Sequence, residues 1–530
     1  MDQDIASTLA TAQQHFTAGR LAEAADLLHG ILQLQPEHGE ALEGLGYIAA
    51  KQGDHARAAD YVTRALQLMA ASPDQVYFAA HVCQLAGRHA EAVALYERCL
   101  ERLPDHVQAQ HGAALSLVKL GANERALRYF ERLTTRHPQL AEVHYNKGSL
   151  LGTMGRYEEE LAAYRKAIAL KPNFGQAYVN VGVALRDLHR FDEALQQFRK
   201  ALSIDPNDAG ARTNRAQTNL LLGEFEHGWR EYEWRWRVGN IHHGFDDATL
   251  WTGAQAIAGK TVFVHSEQGF GDTLQFLRFT DRLSAAGARV VLRVQDALLP
   301  LLSGYPGVAE VIGEHAPVPP FDYHCPTMSL AFALKVRAAD LAATVPYLSA
   351  DPAHTAQWNT LFEKSEDEGG NRARRPRVGI VWCGNPGHVN DHNRSIPLEQ
   401  LASLFDADVT FVSLQKLVRE GDRASFSPLV QRGALLDVAE RLGSFADTAG
   451  LIAQLDLVIA VDTAVAHLAG ALGKPVWIAL PFTPDWRWQL NRSDSPWYPG
   501  VRLFRQAVRG DWSNVTQDIR AALDALPRPG

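Results

Sequence analysis

The sequence predicts a solenoid of α-helix pairs followed by two α/β lobes built on parallel sheets, and three observations carry that prediction. Glycine, proline and small residues recur every 34 positions through the first half. Past Asn240 this rhythm gives way to short apolar runs alternating with helical stretches, the pattern of parallel strands joined by crossover helices. A polar, glycine-containing stretch from Lys364 to Arg375 divides the second half and reads as a hinge.

The repeat is explicit in the residues. Glycine stands at Gly19, Gly53, Gly87, Gly121, Gly155 and Gly223, in steps of 34 residues with His189 occupying the remaining slot. Proline keeps the same period at Pro36, Pro104, Pro138, Pro172 and Pro206, with Ala70 in the gap, and small residues recur at Ala24, Ala58, Ala92, Ala126 and Ala194. Such spacing predicts two antiparallel helices per unit: glycine makes the turn, proline ends the second helix, and small residues let the helices touch. The pattern resembles the tetratricopeptide repeat, as in Ala177-Tyr178-Val179-Asn180-Val181-Gly182 through Ala194, Phe198, Ala201 and Pro206. Seven units run from about Ile5 to Trp236, the last one irregular, with Gly228 where alanine is usual.

Stacked units present a long concave groove, and the resemblance implies that it holds an extended peptide or another protein. The alternative use of such an array is assembly, as a homo-oligomer or a scaffold. The aromatic run Trp229, Tyr232, Trp234 and Trp236 is expected to seal the last unit against the next domain, because terminal repeats need a cap.

At 530 residues the chain exceeds what one hydrophobic core supports. Its formal charge of −8 argues against a general polyanion binder, so nucleic acid is not an expected partner. Cys83, Cys99, Cys325 and Cys383 form no CxxC pair and no zinc spacing, which predicts a reducing compartment and no structural metal. The start, Met-Asp-Gln-Asp-Ile-Ala, lacks the basic opening and apolar core of a signal peptide, and no run of about 18 apolar residues occurs. A cytoplasmic protein without a transmembrane segment is expected.

The domains expected are a repeat superhelix over residues 1–240, a first lobe over 241–363, the hinge at 364–375, and a second lobe over 376–530. The first lobe opens with a strand at Thr261 to His265, a glycine-rich turn and a helix from about Thr273, with further strands at Arg289 to Val294 and around Tyr323. The second opens with Val378 to Trp382, with strands near Val409 to Leu414, Leu457 to Val461 and Pro475 to Ala479. Both lobes read as Rossmann-like. Ligands sit at the carboxyl ends of parallel strands, which directs attention to the loops after Val264, Trp382, Leu414 and Val461.

The most informative stretch runs from Leu457 to Pro475. A buried strand enters an Asp462-Thr463-Ala464 turn and then a small-residue helix carrying His467, whose free amides and dipole suit a diphosphate. The other use of the same residues is a helix cap and a satisfied core histidine. The segment resembles the Asp-Thr-Gly-x-x-His signature of glycosyltransferase family 9, the bacterial heptosyltransferases, with Ala464 in place of the usual glycine. The resemblance implies that Asp462, Thr463, Ala464 and the following amides lie on the donor diphosphate, with His467 close by.

Two further stretches join it. Ser266-Glu267-Gln268-Gly269-Phe270-Gly271-Asp272-Thr273-Leu274 holds a Gly-Asp pair where family 9 carries one, which implies a carboxylate placed to deprotonate the acceptor hydroxyl. A neutral hydroxyl is a poor nucleophile for displacement at an anomeric carbon unless a neighbouring group takes its proton. Asp272 is the first candidate base and Glu267 the second, with a plain cap for the helix at Thr273 as the alternative role of Asp272. The loop from Cys383 to Pro397 contains Gly384, Asn385 and Arg394, whose amides and guanidinium could hold and neutralise a diphosphate. The family places a basic residue before a similar proline. Gln415 and Lys416 end the next strand and could add a ribose or phosphate contact, a solvated side chain being the alternative for Lys416.

Three apparent motifs are set aside. Asp406-Ala407-Asp408 copies the Asp-x-Asp of metal-dependent glycosyltransferases but precedes its strand. Gly253 to Thr261 is one residue too long for a P-loop, and Gly269-Phe270-Gly271 lacks the third glycine of a dinucleotide site. The aromatics of Asp485-Trp486-Arg487-Trp488 and Ser495-Pro496-Trp497-Tyr498-Pro499 are read either as stacking on a sugar or base or as lobe packing. The family likeness spans about Leu250 to Ala522, and the whole plan is similar to the repeat-fused O-linked N-acetylglucosamine transferases. It implies a GT-B glycosyltransferase that uses a nucleotide-sugar as substrate without cofactor or metal. The expected acceptor is a protein, flagellin being one class, with lipopolysaccharide or another glycan as the alternative enzyme reading. An inactive GT-B domain on a repeat scaffold is the non-catalytic reading.

Overall fold

The computed structural model describes residues 2–240, 242–341, 345–362 and 374–527. Nearly all of the expected hinge lies outside these residues. The chain divides into two compact units, Met1–Asp205 and Pro206–Gly530.

The first unit is a run of antiparallel helix pairs, from Asp2–Thr17 with Leu21–Leu34 to Gly175–Asp187 with Phe191–Ile204. The glycines of the 34-residue period sit in the left-handed region, at φ 78° for Gly19 and 74° for Gly155, so they make the tight turns for which the sequence nominates them. His189 takes the same conformation at φ 59°, showing that the turn is kept where the glycine is missing. Small residues line the helix contacts, with Ala24, Ala58, Ala92, Ala126 and Ala194 fully buried.

The second unit opens with a seventh pair, Ala209–Leu221 and Phe225–Tyr232. Gly228 stands where alanine is usual because a Cβ there would overlap the Leu220 side chain. This pair is anchored within its own unit. The buried Trp229 indole donates to the Val336 carbonyl at 3.1 Å and meets Phe276 and Trp486 edge-on. The expected seal is therefore made by Trp229 and Tyr232, both buried, whereas Trp234 carries Arg212 and Arg237 on its ring at 4.1 and 4.3 Å.

Two parallel sheets follow. The first has strands β1 (Thr261–His265), β2 (Arg289–Arg293), β3 (Glu310–Ile312) and β4 (Tyr323–Pro326) in the order β3-β2-β1-β4. The second has β5 (Arg377–Val381), β6 (Thr410–Ser413), β7 (Leu435–Asp437), β8 (Leu457–Val461), β9 (Val476–Leu480) and β10 (Val501–Arg505), in the order β10-β9-β8-β5-β6-β7. Strands β5, β8 and β9 are buried on both faces, which is why they read as unbroken apolar runs. The sequence does not announce β3, β7 or β10. The first two have three residues each, and β10 places exposed Arg502 between buried Val501 and Leu503 at the sheet edge.

Histidines pack together at the carboxyl end of β1. The His265 and His324 rings approach at 3.3 Å between Nε2 and Nδ1, with the His243 ring centroid 4.7 Å from that of His324. Burial, with the neighbouring His324 and Arg293, pushes His265 down to about 3, and burial likewise lowers His324. These folded-state values lie below the unfolded one, so the unfolded chain binds protons that the native fold refuses. Stability is full above about pH 6.5 and falls as pH drops toward 3, by about 2 kcal/mol for His265 alone between pH 6.5 and 5. All 11 tryptophans lie beyond Asp205, so urea unfolding followed by their fluorescence reads the second unit. Equal midpoints at pH 7.5 and pH 5 would contradict the expectation.

Candidate functional site

In each sheet the order of strands reverses at one place, and the loops leaving the two strands there open a crevice. In the second sheet this place is between β5 and β8, and the loops are Cys383 to Pro397 and Asp462–Thr463. In the first it is between β1 and β4. The expected helix starts earlier than Thr273, at Phe270, because Gly269 is extended and caps it. Asp272 is therefore not the capping residue but lies in the first turn, its Oδ2 accepting from the Gly269 amide at 2.8 Å.

The two acidic candidates of this loop have different surroundings. Glu267 is only 2% exposed; it accepts from Arg235 Nε at 2.8 Å, Arg235 Nη2 at 3.0 Å and the Met328 amide at 2.9 Å. Its carboxyl is raised, burial outweighing the opposing pull of Arg235. Arg235 also binds Glu233 at 2.7 Å and Ser329 Oγ at 2.7 Å, so it staples the loop after β1 to the segment after β4. Asp272 is 18% exposed and its Oδ1 accepts from Arg487 Nη2.

Gly271 explains the Gly-Asp pair. A Cβ at this position would come within 2.9 Å of His467 Cδ2 and 3.5 Å of Ala464 Cα, so only glycine admits this packing of the helix Phe270–Phe276 on the helix Ala464–Ala471. The first and second lobes thus meet at the residues singled out in each. His467 is buried, stacks on Trp488 with centroids 5.3 Å apart, pairs through Nδ1 with the Tyr498 hydroxyl at 3.0 Å, and has Nε2 3.9 Å from Asp462 Oδ1. Burial, then Arg487, Arg278 and Arg394, hold its imidazole well below the usual range, so it is neutral. Asp462 is pushed up to about 6 by burial and by Asp485, against the pull of Arg487 and Arg394.

Thr463 is extended at the start of its helix, and its Oγ1 is buried without a hydrogen-bond partner. Arg394 donates from Nη1 to the Asp462 carbonyl at 2.9 Å and lies against Gly384, where a Cβ would overlap its guanidinium. The rest of this loop is tied by residues that the sequence reading does not single out. Buried Asp391 accepts from Ser395 Oγ at 3.0 Å and from Arg419; Ser395 Oγ accepts from the Gly384 amide at 3.1 Å, and Arg419 donates to the Gly384 carbonyl at 3.0 Å. Exposed Asn385 accepts from the Gly387 amide at 2.9 Å.

The remaining candidates lie elsewhere in the contact pattern. Gln415 is buried and bridges the Cys383 amide at 3.3 Å to the Leu417 carbonyl at 3.1 Å, while Lys416 donates to the Ala439 carbonyl at 2.9 Å. Trp486, Trp488, Trp497 and Tyr498 are all at most 4% exposed, so these aromatics pack the lobes together and do not form a sugar platform. Asp406 and Asp408 precede β6 and pair with Arg432 and Arg375. Among the described residues no group of three or more His, Cys, Asp or Glu could hold a metal ion, and no helix is long and apolar enough to cross a membrane.

Parts of this chain are similar to known proteins. Tetratricopeptide repeat models match residues 9–76, 86–140, 111–173 and 175–208. The model of glycosyltransferase family 9 (heptosyltransferase) matches residues 431–484, the segment carrying β8, Asp462, Thr463 and His467. Protein FlbA of Caulobacter vibrioides is 27% identical over 335 residues, 58% of this chain and 54% of the relative, so the match spans about half of that protein's length. Among solved structures, YrrB, described as a tetratricopeptide-repeat protein with an unusual peptide-binding site, is 21% identical over 35% of this chain and 96% of its own, with a TM-score of 0.30. A tetratricopeptide repeat protein from Parabacteroides merdae is 17% identical over 46% of this chain and 95% of its own, with a TM-score of 0.37. The chain thus joins a tetratricopeptide-repeat array to a GT-B-like pair of α/β lobes, the second of which contains a segment similar to glycosyltransferase family 9.

Proposed function

We infer that the chain is an inverting, metal-independent glycosyltransferase that moves a sugar from a nucleotide-diphosphate donor to an acceptor held by the repeats. The observation that carries this reading is the packing of Gly271, the neighbour of Asp272, on Ala464 and His467, with Arg394 bound to the Asp462 carbonyl of the same turn. Asp272 takes the acceptor hydroxyl proton as the oxygen attacks the anomeric carbon. The bond from that carbon to the diphosphate oxygen breaks, and the nucleoside diphosphate leaves. Arg394 and the amides at the start of the helix Ala464–Ala471 stabilise the departing charge. The buried, partnerless Thr463 Oγ1 has a hydroxyl donor to offer the same negative charge. Glu267, closed in its ion pair, holds the loop.

A protein acceptor, flagellin-like or otherwise, is favoured by the repeat array, with a lipopolysaccharide or other glycan as the competing class. Incubation with UDP-, GDP-, ADP- and dTDP-linked sugars, watching for nucleotide release and for sugar-mass shifts on cellular proteins, tests donor and acceptor together. Failure to bind any nucleoside diphosphate would favour the inactive scaffold. Activity is expected to survive EDTA, and strict restoration by Mn²⁺ or Mg²⁺ would overturn the metal-independent mechanism. Arg394→Ala and Thr463→Ala are each expected to weaken nucleoside diphosphate binding by about 1–3 kcal/mol, the worth of a hydrogen bond to a charged group. Calorimetry showing unchanged affinity for both would move the donor elsewhere.

A further inference from the structure

Arg487 is built into the site more completely than any mechanism so far requires. Its guanidinium is buried, and three of its nitrogens are engaged: Nη2 with Asp272 Oδ1, Nε with Gln275 Oε1 at 2.6 Å, and Nη1 with Asp485 Oδ1 at 2.8 Å. Its flat face lies 4.2 Å from the Trp486 ring centroid, and Trp486 is in turn held edge-on by Trp229 of the seventh repeat at 5.3 Å. Asp272 and Gln275 belong to the helix after β1, whereas Asp485 follows β9, so one rigid fork spans both lobes.

The consequence for Asp272 is geometric. Its Oδ2 is fixed by the Gly269 amide and its Oδ1 by Arg487, so the carboxylate cannot rotate about its own bond. Each carboxylate oxygen keeps a second lone pair, and the proton of an attacking hydroxyl must be delivered along one of these. We propose that Arg487 is the positioning residue of this reaction: it touches neither donor nor acceptor and acts by aiming the Asp272 carboxylate. This rests on the reading of Asp272 as the base.

The test uses the full chain and the nucleotide-sugar that turns over in the panel above, with Arg487→Ala and Arg487→Lys made alone and on Asp272→Asn. Arg487→Ala is expected to lower kcat by about 10- to 100-fold, with donor KM and nucleoside diphosphate Kd changed by less than about twofold. Arg487→Lys keeps the charge without the fork and is expected to recover part of that rate. On Asp272→Asn the loss of Arg487 should cost less than about twofold further, because residues acting as a unit are not additive. A tenfold or greater weakening of Kd would make Arg487 a donor ligand, and an additive loss would make it act apart from Asp272; either overturns the proposal. Should circular dichroism show Arg487→Ala unfolded, Arg487→Lys decides: a slower enzyme with normal donor KM supports the proposal, and wild-type turnover or a raised KM overturns it. Wild-type turnover by Asp272→Asn alone would instead refute the base assignment.

Discussion

Asp272→Asn is expected to keep the fold and the nucleoside diphosphate affinity while lowering turnover by about 10²- to 10⁴-fold, the usual worth of a positioned general base. The substitution is isosteric. An asparagine oxygen can still accept from the Gly269 amide, which now receives its bond from Asp272 Oδ2 at 2.8 Å, so the first turn of the helix keeps its anchor. What is lost is the negative charge opposite Arg487 and the capacity to take a proton. A purely structural role predicts the reverse pattern, a lowered unfolding midpoint with nearly normal turnover. Single-turnover kinetics beside calorimetry separates the two. If Asp272→Asn transfers sugar at the wild-type rate while Glu267→Gln does not, the base is Glu267.

Arg235→Met should be the most damaging single change to stability, costing about 3–5 kcal/mol, because removing one partner of a buried pair strands the other. Glu267 would be left 2% exposed with only the Met328 amide among its present partners, and Glu233 would lose its bond to Arg235 as well. Glu267→Gln should cost less, since its amide oxygen can keep the bond to Met328. The change is read by urea unfolding followed through tryptophan emission, which reports the second unit. A shift below about 1 kcal/mol would place the staple in the range of solvent-exposed ion pairs and reopen Glu267 for a catalytic role.

What the sequence makes legible follows from how local each constraint is. Every repeat needs the same left-handed turn and the same close helix contact, so Gly19, Gly155 and Ala24 recur at fixed spacing and the solenoid can be counted. Strands buried on both faces, such as β8, must be apolar throughout, so their carboxyl ends and the Asp462-Thr463 turn can be placed. Glu267 and Asp272 look alike in sequence because both are acids in one loop. Only the arrival of Arg235, 32 residues away, and of Arg487, 215 residues away, tells them apart. Gln415 and Lys416 sit at the strand end that topology favours, yet their side chains are occupied by the Cys383 amide and by the Leu417 and Ala439 carbonyls. Asp391 and Arg419 brace the Gly384 loop from 28 residues apart, a pairing that no short motif announces.

The seventh helix pair belongs to the same compact unit as the α/β lobes, and this bears on how such a chain can diversify. Units of a solenoid contact mainly their neighbours, so duplication or loss of a 34-residue block before Pro206 changes the length of the arm without touching Trp229, Arg235 or the groups they hold. On the proposed function, reach toward an acceptor can then be selected separately from chemistry. The same reasoning sets the cut point for grafting: a cassette beginning at Pro206 carries the staple with it, whereas one beginning at the change of rhythm near residue 241 would take Glu267 and leave its counter-ion behind.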